Sequence, residues 1–149
     1  MSGGEVAVFF DIGDTLASPV LSADHTTLLA LNAYPFVPEI LSALRQQGVR
    51  LGLLSNTGPS DTLLSLSAVL EGADLLSFFE RGLLLFSSVE GLDKRNIEFF
   101  RRAAARATLP PPRCVFVGEN ARERQVATQA SFNVSFHPLH VFQVLKEMP

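Results

Sequence analysis

Four short apolar runs constrain this chain more than any other feature: residues 7–10, 49–54, 82–87 and 113–117. Each stops at a polar or turn-forming stretch. The first meets Asp11 and then Gly13-Asp14, the second Ser55-Asn56-Thr57-Gly58, and the last Gly118-Glu119-Asn120. Runs of this length, apolar on consecutive positions, read as strands buried on both faces, as in a parallel sheet. Helical patterns lie between them. Pro35 and Pro38 open a helix carrying Val37, Ile40, Leu41 and Leu44, with Gly48 closing it. Pro59 and Asp61 begin a second, with Leu63, Leu64, Leu66 and Leu70 ahead of Gly72.

The later chain continues the alternation. Residues 75–79 form a helical turn, and residues 96–107 a helix with Ile97, Phe100 and Ala104 on one face. Residues 122–130 give a further helix, 133–136 a short strand and 139–148 a final helix. Strands alternating with helices imply βαβ units, and right-handed crossovers then leave one architecture. It is an α/β fold: a doubly wound, three-layer α/β/α sandwich around a mainly parallel, Rossmann-like sheet. Residues 17–34 show no strong period and read as irregular chain, while residues 1–4 read as a flexible tail.

Composition excludes several classes. At 149 residues, 47% apolar and 18% charged, the chain is one folded domain, 1–149, with enough length for a full core. A net charge of −3 without blocks of like charge advertises neither nucleic acid nor a membrane surface as partner. Without a basic region leading into a long apolar stretch, the expected location is cytoplasmic. The single cysteine, Cys114, lies in an apolar run and reads as a buried small residue. The Phe pairs either fill the core or seam a homo-oligomer, and both remain open.

In open parallel sheets ligands sit beyond the carboxyl ends of the strands. That places Asp11, Ser55 with Asn56, and Glu119 with Glu123 around one crevice, with Lys94 just ahead of the third long helix. A carboxylate can serve as nucleophile. An ammonium and a hydroxyl neutralise spreading oxygen charge, and further carboxylates suit a hard divalent cation such as magnesium. The set fits a phosphoryl group.

Here the sequence resembles the haloacid dehalogenase-like hydrolases, a superfamily dominated by magnesium-dependent phosphatases. Phe10-Asp11-Ile12-Gly13-Asp14-Thr15-Leu16 is similar to the first motif, Leu53-Leu54-Ser55-Asn56-Thr57 to the second, and residues 87–94, with Phe99-Phe100, to the third. Val115-Phe116-Val117-Gly118-Glu119-Asn120 with Glu123 is similar to the fourth. The resemblance implies Asp11 and Lys94 as catalytic residues, and Ser55, Asn56, Thr15 and Lys94 as the phosphate-binding set. It implies Mg²⁺ held by Asp11, the Gly13 carbonyl, Glu119 and Glu123. The expected partner is a phosphorylated substrate, small or macromolecular, hydrolysed through an aspartyl-phosphate.

The chain departs from the family pattern at Gly13, where a second aspartate ordinarily acts as general acid and base. Asp14 is one residue late and replaces it only if the loop is distorted. The fourth motif carries Glu119 where aspartate is usual. Good leaving groups, aryl or acyl phosphates, tolerate the missing acid best. The stretch between first and second motifs is too short for a cap domain. The competing reading is a catalytically impaired binding or regulatory module on the same fold. A phosphoacceptor receiver domain fits poorly, since the strong aspartate is on the first strand. His137 and His140 read as surface or capping residues, whereas the His25 loop can fold over Asp11.

Overall fold

A computed structural model describes residues 4–149. In chain order the elements are β1 (Ala7–Phe10), β2 (Ala17–Leu21), β3 (Leu28–Ala33), α1 (Val37–Gln46), β4 (Arg50–Ser55) and α2 (Leu63–Gly72). There follow β5 (Leu84–Phe86), α3 (Ser87–Glu90), α4 (Ile97–Ala107), β6 (Cys114–Val117), α5 (Ala121–Gln129), β7 (Asn133–Ser135) and α6 (Val141–Glu147). Five of the strands form one sheet in the order β5-β4-β1-β6-β7, every pairing parallel. The α/β/α sandwich is therefore present, and β1 is its middle strand.

Alternation along the strands builds two cores. Val8, Phe10, Leu51, Leu53, Val115 and Val117 face a layer made by α1, α2 and α6. Ala7, Phe9, Leu54, Leu85 and Phe116 face α4 and α5. Successive side chains of a strand point to opposite faces, so four consecutive apolar residues in β1 serve both layers. Fully burying one such Phe or Leu is worth roughly 1.5–3 kcal/mol. All four residues of β1 are fully buried, as are all four of β6.

The first helix starts and stops as its residues dictate. Pro38 lies in its first turn, and the buried stripe is Val37, Ile40, Leu41 and Leu44. Gly48 just beyond its end takes φ +80, the left-handed conformation glycine adopts freely. The second helix begins later than expected. Thr62 is its N-cap, accepting the Ser65 N–H while Ser65 caps Thr62 in return, and Asp61 stays outside the helix. The third apolar run forms a strand over only three residues, with a 3-10 turn at Arg81–Leu83 before it and α3 directly after it.

The reading of residues 17–34 as irregular is corrected. They form an antiparallel hairpin, β2–β3, outside the main sheet. The loop 22–27 is held by Asp24, whose Oδ1 accepts from the Ser22 hydroxyl and from both the N–H and the hydroxyl of Thr26. Pro19 in a strand and a six-residue connection carry none of the usual hairpin signals. At the amino end, the Gly4 carbonyl accepts a bond from Arg113; the rest of the expected tail, residues 1–3, lies outside the described residues. Among the described residues no helix is long and apolar enough to cross a membrane.

Two predictions test this packing. A Cβ at Gly52 in β4 would lie 2.7 Å from the Leu83 carbonyl oxygen and 2.8 Å from the Phe9 ring. Gly52→Ala should cost about 1–3 kcal/mol, read as a lowered urea midpoint. Burial pushes the Cys114 thiol up to about 12. Iodoacetamide at pH 8 should therefore leave Cys114 unmodified in the native protein and alkylate it once urea unfolds the chain.

Candidate active site

Asp11 follows β1 directly, and its N–H donates to the Val117 carbonyl, which extends the β1–β6 ladder by one step. The nucleophile candidate is thus fixed to the rigid centre of the sheet. Lys94 reaches it from the loop ahead of α4. Its Nζ lies 2.6 Å from Asp11 Oδ1 and 2.8 Å from Glu123 Oε1, with only 2% of the lysine side chain exposed. The ammonium also stands 5.7 Å from the centroid of the Phe116 ring, which supplies a cation–π contact.

Two contacts aim that lysine. The Lys94 backbone N–H donates to Asn56 Oδ1 at 3.0 Å, so the loop of the second motif positions the loop of the third. Glu123 is the third residue of α5, whose N-cap Asn120 accepts the Glu123 N–H. The Lys94–Glu123 approach has ion-pair distance but not hydrogen-bond direction, leaving Glu123 Oε1 buried without a hydrogen-bond partner. Glu123 acts as a counter-ion, so one buried ammonium answers two carboxylates.

Burial pushes the Asp11 carboxyl above its ordinary value. The Lys94 charge and hydrogen bond pull it back, and the nearby Glu123 pushes it up again, leaving the net shift upward. An Asp held this way is a stronger base than a free carboxylate, and the lysine limits how far that goes.

The phosphate-binding candidates fall into two groups. Ser55 is buried at the end of β4, and its hydroxyl makes only a long 3.3 Å bond to the Asn56 carbonyl. Thr15 is 3% exposed, and its Oγ1 has no hydrogen-bond partner among the described residues. The weakly held Ser55 hydroxyl can turn to an outside oxygen, whereas Thr15 Oγ1 is closed off from solvent. Asn56 is different: its side-chain carbonyl is spent on Lys94, which makes it a positioning residue first.

Of the metal candidates, Asp11 and Glu123 meet at Lys94, whereas Glu119 is exposed and engages no ion pair or hydrogen bond among the described residues. Those residues include no group of three or more His, Cys, Asp or Glu placed to hold a metal by themselves. The expected four-ligand set is therefore not gathered into a cage. The donors still suit a hard cation, which favours one or two carboxylates together with phosphate oxygens and water. Asp11, the Gly13 carbonyl and the free Glu119 carboxylate would hold such an ion together with a bound phosphate.

Gly13 places no side chain in the site. Asp14 takes φ +62, the distorted turn a substitute acid requires, but its carboxylate is exposed and has no hydrogen-bond partner among the described residues. His25 sits exposed at the tip of the hairpin loop with φ +60, bonded through its N–H to the Ser22 carbonyl. His140 Nδ1 pairs with the Ser135 hydroxyl, and His137 Nδ1 accepts the Leu139 N–H, so both are local structural contacts.

Sequence reasoning overlooked Asp61 and Arg124. Asp61 is buried, and its two oxygens accept the Leu28 and Gly58 N–H groups at 2.9 and 3.0 Å, which ties the hairpin to the loop after Ser55. Arg124 donates to the Gly118 carbonyl at 2.8 Å and steadies the turn after β6. An aspartate ahead of a Thr-Leu-Leu-Ser helix start reads as a cap, and nothing local reveals a partner on a distant hairpin.

The fold and site define a class: hydrolase cores with a carboxylate after the middle strand of a doubly wound sheet and a buried lysine beside it. A family model described as haloacid dehalogenase-like hydrolase matches residues 21–130, a stretch holding Ser55, Lys94, Glu119 and Glu123 but beginning after Asp11. The chain belongs to that family. Solved structures share the fold. An uncharacterized protein from Listeria monocytogenes is 18% identical with a TM-score of 0.79, covering 96% of this chain and 98% of that one. A haloacid dehalogenase-superfamily hydrolase of subfamily IA from Geobacter sulfurreducens is 16% identical with a TM-score of 0.70, covering 95% and 100%. A phosphatase of the superfamily from Thermococcus onnurineus is 18% identical with a TM-score of 0.64, covering 77% and 59%. No curated protein matches the sequence.

The cluster makes a quantitative prediction. Lys94→Met leaves the buried Asp11 carboxylate and the half-buried Glu123 without their shared counter-ion and should cost about 3–5 kcal/mol by urea denaturation. Adding Glu123→Gln removes one charge and should recover part of that loss, a coupling that a double-mutant cycle measures.

Proposed function

We propose that this chain is a magnesium-dependent phosphohydrolase acting through an aspartyl-phosphate on Asp11. The observation that carries the reading is the buried Lys94 ammonium on Asp11, with the weakly held Ser55 hydroxyl at the end of the neighbouring strand β4. Asp11 Oδ attacks phosphorus as the bond to the leaving oxygen breaks. Lys94 and the Ser55 hydroxyl neutralise and orient the phosphoryl oxygens, where fixed charges act without reorganising. Water then attacks the aspartyl-phosphate and frees the Asp11 carboxylate. A magnesium ion, when bound by Asp11, Gly13 and Glu119, adds charge neutralisation on the phosphate. A phosphorylated substrate is the one partner this reading requires.

A second reading rests on Gly13. With no side chain at the usual position of the general acid, whose contribution is typically about 10²- to 10⁴-fold, the site can bind phosphate and turn it over slowly or not at all. The chain would then act as a binding or regulatory module.

Hydrolysis of 4-nitrophenyl phosphate and acetyl phosphate, with and without magnesium, separates the two. Turnover should depend on magnesium and fall on the order of 10³-fold or more in Asp11→Asn. If the folded protein hydrolyses neither compound yet is stabilised thermally by magnesium with beryllium fluoride, the binding module is the correct reading.

A further inference from the structure

An apolar cavity of about 190 Å³ opens beside the proposed phosphate site. Ile12, Pro19, Leu21, Leu28 and Leu31 supply its apolar wall, and the strip from Ser55 to Gly58 forms the facing side. Neither Asp11 nor Lys94 lines it, so the cavity flanks the reacting centre, while Ser55 and Gly13 belong to both. Four of the five apolar residues come from the β2–β3 hairpin or its margins, the segment with no regular sequence pattern.

That wall is fastened in place. Asp61 bonds Leu28 of the hairpin and Gly58 of the facing strip, and the Ser60 N–H donates to the Thr26 carbonyl. A Cβ at Gly58 would lie 2.1 Å from that same Thr26 oxygen, so only glycine permits the approach. The hairpin wall is tied to the facing strip at two positions, Leu28 and Thr26. Removing apolar surface from water is worth about 25 cal/mol per Å², and an apolar cavity of roughly 150 Å³ accepts a benzene ring.

Among the described residues the same corner carries no free acidic side chain. Position 13 has no side chain, and a Cβ there would contact Pro19 Cγ at 3.6 Å, so the wall of the cavity stands where a larger residue would project. Asp14 is exposed, and both oxygens of Asp61 already accept backbone N–H groups. A leaving group seated here receives no proton from the pocket.

We infer that the hairpin-walled cavity is the leaving-group subsite, and that it selects aryl phosphates, whose ring is apolar and whose oxygen departs unprotonated. This rests on the phosphohydrolase reading and deepens it. Asp11 Oδ bonds to phosphorus while the phosphorus–oxygen bond to the ring breaks, and the phenolate keeps the electron pair. It takes a proton from solvent after release. Water next bonds to phosphorus, its proton passing to the departing phosphate, and the Asp11 carboxylate leaves with its electron pair.

The test compares kcat/KM for 4-nitrophenyl phosphate and acetyl phosphate, both with magnesium. Acetyl phosphate also has a good leaving group but lacks a ring to fill the cavity. Leu21→Asn, at a half-exposed position, and Leu28→Ser should each lower the aryl-to-acetyl ratio about tenfold. Leu64→Asn, on the exposed face of α2, should leave the ratio unchanged. Across substituted phenyl phosphates, kcat/KM should fall steeply as the leaving phenolate becomes more basic. A ratio unmoved by both cavity variants, or rates indifferent to that basicity, overturns the inference while the phosphohydrolase stands. Absence of turnover for every phosphate in the folded protein overturns the phosphohydrolase reading itself, and the subsite with it.

Discussion

Everything at the functional end of this molecule depends on one buried ammonium. Lys94 carries a full charge at 2% exposure, an arrangement costing several kcal/mol unless the charge is answered. Asp11 and Glu123 answer it, and each comes from a different part of the fold: the end of β1, and the first turn of α5. The loops around the site must therefore hold their positions, because moving any one of them strands a charge in a dry interior. Asn56 contributes from a third segment by receiving the Lys94 N–H. The electrostatic cluster and the hydrogen bonds around it act as one unit.

The cluster also sets the chemistry. Lost hydration holds the buried Asp11 carboxyl above its ordinary value, and the Lys94 ammonium at 2.6 Å pulls it back. Placing that pair on the middle strand of a parallel sheet gives it a backbone fixed on both edges. β1 pairs with β4 and β6 in continuous register, and Asp11 extends the second ladder by one bond. Loops supply the remaining groups, while the sheet supplies the precision.

Between its first strand and α1 the described chain carries a hairpin outside the main sheet. It is latched to the loop after β4 by Asp61, a residue that lies just ahead of a helix and belongs to neither element. A wall made this way is small and apolar, and one side of the site is shaped by it. Leu21 and Leu29 of the same hairpin remain at the surface.

The sheet was legible from the chain because parallel strands buried on both faces need unbroken apolar runs, and 7–10, 49–54 and 113–117 supply them. The amphipathic stripe at Val37, Ile40, Leu41 and Leu44 fixed a helix just as directly. The hairpin was not legible: its strands are half exposed and contain Pro19, and their pairing is stabilised by contacts to Gly58 and Asp61 far along the chain. Composition and motif order indicated that Asp11, Ser55 and Lys94 belong to one site. Only the tertiary structure decided that Lys94 is buried rather than solvated, that Glu123 is its second counter-ion while Glu119 stays free, and that Asn56 positions a loop. The reason is physical. Periodicity is a local property that a sequence displays, whereas the environment of a charge is set by whichever distant segments close around it.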